Sequence, residues 1–138
     1  MVTFEILLIE PDRVLAASYV EALQAAGSQV NAASTAQAAI MVADAIPPDL
    51  VVLELQLVEH SGIEFLYEFR SYPDWQGVPV LIHTQVPPAE FNDSGQLLRE
   101  ELGVCEYLYK PRTSLSRLVA SVREQLPVGT PAGAEAAA

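Results

Sequence analysis

The sequence predicts an α/β domain: a five-stranded parallel sheet with helices on both faces. Three observations carry that prediction. Short apolar runs alternate five times with amphipathic or alanine-rich stretches, the pattern of repeated strand–helix units. Residues 6–9, 50–53 and 78–82 are continuous apolar runs, as strands covered on both faces must be. The polar residues Glu10, Glu54, Thr84 and Lys110 stand at the C-terminal ends of four such runs. If the strands are parallel, those ends share one edge of the sheet, where ligands and chemistry collect in open α/β folds.

Each element has its own local justification. Residues 4–9 form the first strand, and Asp12 can cap the helix that follows. There Leu15, Tyr19, Ala22, Leu23 and Ala26 share one face, and Gly27 stops the helix. Residues 29–33 make a weaker second strand. Thr35 can cap an alanine-rich second helix through Ala45, which ends before Pro47 and Pro48. Residues 49–54 are the clearest strand. After a loop, Ser61, Gly62, Ile63 and Glu64 match a capping box, and Phe65, Leu66 and Phe69 then face the core. Residues 78–83 form the fourth strand. Residues 87–102 should hold a fourth helix that starts late, because Pro87, Pro88 and residues 92–95 break helices, and Gly103 ends it. Residues 105–109 are the fifth strand. Leu115, Leu118, Val119, Val122 and Leu126 mark the fifth helix. The domain is expected to span residues 1–126, with 127–138 a disordered tail or linker stub that lacks apolar periodicity.

Composition narrows the function. Seven basic residues against 18 acidic ones leave a formal charge of −11, which disfavours nucleic acid and anionic membranes as partners. The basic residues are scattered, so no basic patch forms. No apolar run approaches the roughly 20 residues that cross a bilayer. The first residues lack a signal-peptide pattern, and a cytoplasmic location is expected. Cys105 is the single cysteine, which excludes an intrachain disulfide and a cysteine metal site. It is read as a small core residue.

At this point the motifs resemble a known family. Residues 6–12 (Ile-Leu-Leu-Ile-Glu-Pro-Asp) are similar to the acidic first-strand motif of the response-regulator receiver domain, the phosphoacceptor module of two-component signalling. Residues 48–57, followed by residues 61–66, are similar to its phosphorylation-site segment. Residues 78–84 and 107–111 are similar to its fourth- and fifth-strand motifs. The resemblance covers about residues 4–126, and the order and spacing of the motifs make it specific. It implies the CheY-like (flavodoxin-like) strand order 2-1-3-4-5. It implies a pocket of acids, here Glu10 and Asp12, that hold Mg²⁺ together with the acceptor carboxylate. It implies that Thr84 and Lys110 match the hydroxyl and the ammonium that contact a phosphoryl group. It also implies that Tyr107 matches an aromatic that moves inward on activation.

The chain departs from the family where the chemistry is done. The phosphoacceptor-equivalent residue is Glu54, whose carboxylate stands one methylene further out than that of aspartate. In-line phosphoryl transfer depends on fine positioning, so Glu54 is expected to be a poor acceptor. Pro11 replaces the second acid of the first-strand pair and offers no side-chain oxygen. The pocket is therefore expected to need no cofactor, with Mg²⁺ disfavoured. A Glu54–Lys110 ion pair is expected to replace metal and phosphate as the internal bridge. Val58 stands where receivers often carry a proline. The segment from Thr84 to Lys110 is longer than the family's usual spacing, which bears on the fourth helix–fifth strand–fifth helix face that receivers use for output and homodimers.

Outside that pocket the readings are plainer. His83 reads as a packed histidine, His60 as a loop residue without metal-ligand spacing, and Trp75 as a partial lid over an apolar patch. The chain is expected to be no enzyme. It is read as a pseudo-receiver that signals by protein–protein contact, with a histidine kinase or an output protein as partner. Two alternatives stand beside this reading. One is a working response regulator phosphorylated by a histidine kinase on Glu54 or on another residue such as Asp12. The other is a small flavin- or nucleotide-binding enzyme of the same topology. Glu10 and Asp12 after the first strand would repel a flavin phosphate, and no glycine-rich fingerprint appears.

Overall fold

A computed structural model describes residues 3–91 and 95–126. The expected tail, 127–138, and residues 92–94 of the expected fourth helix lie outside the described residues. The sheet has five parallel strands: β1 (Glu5–Ile9), β2 (Gln29–Ala33), β3 (Leu50–Leu53), β4 (Val80–Thr84) and β5 (Val104–Tyr109). Their order is β2-β1-β3-β4-β5, as the resemblance implied. Helices α1 (Arg13–Ala25) and α5 (Leu115–Gln125) cover one face, and α2 (Ala36–Ala45) and α3 (Gly62–Ser71) cover the other. The fourth helical segment, α4 (Leu97–Glu101), is a short π-type turn on the α2–α3 side, preceded by a 3-10 turn at Pro88–Phe91. Proline and glycine on its N-terminal side leave it shorter than the expected span.

Alternation along the strands divides the core into two layers. Ile6, Leu8, Val52 and Leu81 pack with Tyr19, Leu23, Leu118 and Val122 under α1 and α5. Leu7, Ile9, Val51 and Ile82 pack with Phe65, Leu66 and Phe69 under α2 and α3. The buried face of α2 is Ala36, Ala39 and Ala43, small side chains that let the helix lie close to the sheet. Trp75 is buried, more fully than a partial lid, and stacks on Phe69 with ring centroids 4.9 Å apart.

The helix starts follow their caps. Asp12 accepts from the amides of Val14 and Leu15, Thr35 from Ala38, and Ser61 from Glu64. At α3 the carboxylate of Glu64 turns instead to His60 Nδ1, at 3.1 Å. Gly27 stops α1 with a φ of 103°, which suits glycine. Cys105 corrects its expected core position. The register slips between Val80 and Leu81, so Cys105 has no opposite residue on β4. It lies exposed at this bulge. No helix among the described residues is long and apolar enough to cross a membrane.

Candidate functional site

The sheet edge brings the predicted site residues together through its register. Neighbouring strands β1 and β3 pair Ile9 with Leu53, so the residues that leave them, Glu10 and Glu54, stand side by side. This is the switch point, where connections from β1 and β3 diverge to opposite faces. The Glu54 amide donates to the Ile9 carbonyl at 3.0 Å, and the Glu10 amide to Ala33 at 3.0 Å. Both backbones are thereby fixed one residue beyond the strands. Helix α3 starts hard against this edge. A Cβ on Gly62 would lie 2.8 Å from Leu55 Cα and 2.9 Å from the Glu54 carbonyl oxygen, so only glycine fits there without a shift. From the far side, β5 runs into a 3-10 turn at Lys110–Arg112 that delivers the lysine.

Lys110 is the centre of the cluster. Its ammonium donates to Glu10 Oε1 and, at 2.9 Å, to Glu54 Oε1. The second oxygen of each glutamate also has a donor. Glu10 Oε2 accepts from the Asp12 amide at 3.1 Å, and Glu54 Oε2 from the Gln56 amide at 3.3 Å. Both glutamates are only 4% exposed. Burial by itself lowers the Lys110 pKa, but the hydrogen bonds and charges of Glu10 and Glu54 outweigh it and hold the ammonium above its ordinary value. The Tyr19 ring lies beneath, its centroid 5.9 Å from Nζ. Tyr19 in turn meets His83 edge to face at 4.9 Å. Burial, with Lys110 adding to it, pushes His83 down to about 4, so a packed and neutral imidazole sits behind the cluster at neutral pH.

The other predicted residues take distinct positions. Thr84 is fully buried, and its Oγ1 accepts from the Val86 amide at 3.2 Å. The Tyr107 hydroxyl donates to the Val86 carbonyl at 2.7 Å. Thr84 and Tyr107 therefore hold the two sides of one residue in the loop after β4. Burial first, then the charges of Glu54 and Glu90, push the Tyr107 phenol up to about 12. Asp12 spends Oδ1 on the cap of α1 and reaches the cluster through its backbone amide. His60 is an exposed loop residue, as expected. Among the described residues, no three or more His, Cys, Asp or Glu side chains are grouped to hold a metal ion.

Three participants escaped the sequence reading. Tyr19 lies in the apolar stripe of α1, where only its aromatic character set it apart. The Gln56 amide is a main-chain group and leaves no trace in the sequence. Arg70 matters to the frame that carries β5. Its guanidinium donates to the carbonyls of Trp75 (2.6 Å), Leu102 (2.8 Å), Gly103 (3.2 Å) and Gln76 (3.3 Å), tying the end of α3 to the entry of β5.

Comparison with known proteins bears on the fold that carries this site. Residues 6–123 match the response regulator receiver domain family. The KDP operon transcriptional regulatory protein KdpE of Escherichia coli K12 is 30% identical over 106 residues, covering 77% of this chain and 44% of that protein. Transcriptional regulatory protein KdpE of Mycobacterium tuberculosis is 35% identical over 100 residues, 70% of this chain and 41% of that protein. The chain thus spans less than half the length of these curated relatives. Among solved structures, chemotaxis protein CheY4 of Vibrio cholerae superposes with a TM-score of 0.80 at 20% identity, over 90% of this chain and 99% of that one. The non-phosphorylated HemR receiver domain of Leptospira biflexa gives 0.77 at 26% identity, over 94% and 98%.

Proposed function

The chain belongs to the response regulator receiver family, and we propose that within it this domain is a pseudo-receiver. It signals by protein–protein contact without phosphorylation, and Lys110 bridges Glu10 and Glu54 as a built-in counter-ion. The observation that carries this reading is the bridge itself: the Lys110 ammonium donates to both glutamates, and each of their four carboxylate oxygens has a donor. Those donors hold the Glu54 carboxylate turned toward Lys110 and the Gln56 amide.

The residues present do not fit Mg²⁺, the family's ion. Octahedral Mg²⁺ needs oxygens free to point at it, usually one or two carboxylates with waters and phosphate. Pro11 supplies none, Asp12 has Oδ1 engaged on the cap of α1, and the two glutamates face an ammonium. On this reading the chain is no enzyme. It sits in the cytoplasm, facing a histidine kinase or an output protein. The α4–β5–α5 face is available to that partner or to a second copy of the chain.

The test is a titration of Mg²⁺ and then beryllofluoride, followed by the amide spectrum and Trp75 fluorescence. The expected result is unmoved signals at Thr84 and Lys110 in the natural chain. The double variant Pro11→Asp with Glu54→Asp, which restores both acids at the shorter length, should gain a Mg²⁺-dependent response. Saturable shifts at Thr84, Tyr107 and Lys110 in the natural chain would overturn the proposal in favour of a working, kinase-dependent regulator.

A further inference from the structure

Away from the Lys110 cluster, α2 and α3 enclose an open groove of about 500 Å³. Ala36, Ile40 and Phe65 give it an apolar lining, Ala36 and Phe65 from buried positions, and Gln37 lies beside them. Met41 stands at its margin with 68% of its surface exposed, two residues from the buried Ala39 and Ala43 and so turned away from the core. Methionine is an adaptable contact residue at binding surfaces.

The charge around this lining has one sign. Glu64 and Glu68 of α3 line it, and His60, paired with Glu64, is the one titratable group there able to become a cation. Asp44, exposed three residues beyond Met41, adds a further acid along α2. Neither helix offers a free basic side chain to the groove. Arg70 is the single basic residue in α2 and α3, and its guanidinium is engaged with four carbonyls. The chain as a whole carries −11, so an acidic segment approaching this face meets repulsion at long and short range.

We infer that the α2–α3 groove is a docking site for a basic amphipathic helix of a partner protein. Such a helix would lay aliphatic side chains on Ala36, Ile40 and Phe65 beside Met41, and its flanking lysines or arginines would meet Glu64 and Glu68. A groove between two helices that is partly lined by apolar side chains suits a helical ligand, which anchors through residues spaced i, i+3 or i+4 and i+7. Acidic rims steer such a ligand and select against acidic competitors. The inference names a partner chemistry for the protein-contact reading and rests on it for its purpose.

The experiment uses the full chain, isotopically labelled. The probe is a synthetic amphipathic peptide with leucines at i, i+3 and i+7 and lysines on the flanks. Its counterpart keeps the leucines and carries glutamate for every lysine. Saturable amide shifts confined to residues 36–41 and 60–68 are expected with the lysine peptide alone. Glu64→Lys with Glu68→Lys should weaken binding roughly tenfold or more, the scale of a lost charge pair or two. Met41→Gln, a milder change at an exposed site, should weaken it several-fold with the spectrum otherwise intact. Equal binding of the two peptides, shifts centred on other acidic surfaces, or no binding at all would overturn the inference. So would self-association of the chain through residues 36–41 without peptide. The beryllofluoride response is read at Thr84 and Lys110, so failure of the groove and failure of the phosphorylation-independent reading give different signatures.

Discussion

Replacing Lys110 by methionine tests the cluster most directly, because it removes the ammonium and keeps an unbranched side chain only one atom shorter. The Lys110 side chain is 8% exposed, with the side chains of Glu10 at 4% and Glu54 at 5%. The substitution leaves two buried carboxylates without a counter-charge. At an effective dielectric near 20, each contact at ~4 Å carries about 4 kcal/mol of attraction, set against the cost of burying the ions. Breaking such a pair by deleting one partner costs about 3–5 kcal/mol, a large share of the stability of a small domain. We expect a loss of that size at neutral pH in urea unfolding followed by Trp75 fluorescence. The pH dependence follows from the raised Lys110 pKa. Its contribution is fully present below the unfolded value of 10.5 and is lost as pH rises through the folded value, in the natural chain but not in the variant. Replacing all three residues by leucine or methionine should bring stability back to within about 1 kcal/mol of the natural chain or above it. A Lys110→Met loss under about 1 kcal/mol at pH 7, or one that ignores pH, would refute the buried network.

Two further expectations rest on single side chains. His83 holds a folded pKa of about 4 against 6.5 unfolded, so its contribution is present above 6.5 and is lost as pH falls toward 4. That contribution is about 3 kcal/mol at full extent. His83→Phe should flatten the stability profile across that window, and equal slopes for the two proteins would count against a neutral buried imidazole. Arg70→Ala should cost about 2–3 kcal/mol by stripping donors from four carbonyls. Arg70→Lys should recover less than half of that, since an ammonium cannot reproduce the fork; full recovery in urea unfolding would show that charge alone sufficed.

Much of the fold was legible because strands covered on both faces must be apolar throughout. β1, β3 and β4 could therefore be read from residues 6–9, 50–53 and 78–82 to within a residue or two. The caps at Asp12, Thr35 and Ser61 were legible for the same kind of reason, since a short polar side chain before an apolar stripe has a local task. Local reasoning stopped where a contact depends on register. The bulge that turns Cys105 outward is set by how β5 pairs with β4, and no pattern within residues 104–109 announces it. The four carbonyls held by Arg70 come from segments up to 33 residues away. The Lys110–Glu54 contact was foreseen, but the share taken by Glu10 was not, because it depends on how far the lysine reaches past β4 and β3.

Glu54 and Pro11, the two departures that the family resemblance implies within the pocket, make physical sense together on the proposed reading. With a full set of acids the pocket would hold three negative charges against Lys110, and a divalent cation would be needed to offset the surplus. Pro11 removes one of those charges, and the two that remain share a single ammonium, leaving a formal surplus of one. That surplus is spread over oxygens that also accept from the Asp12 and Gln56 amides, the bonding that stabilises a buried carboxylate. The extra methylene of Glu54 fits this scheme, since it carries the carboxylate out to Lys110 while the backbone stays fixed by its bond to Ile9. Restoring either acid alone should then help little. Glu54→Asp by itself shortens the reach to Lys110 without supplying a second metal ligand, and Pro11→Asp by itself adds a third buried charge to a cluster that has one cation. The double variant is the change that moves the pocket from one balanced arrangement to the other, which is why its response to Mg²⁺, set beside those of the single variants, discriminates between a pocket rebuilt around lysine and one merely worn down.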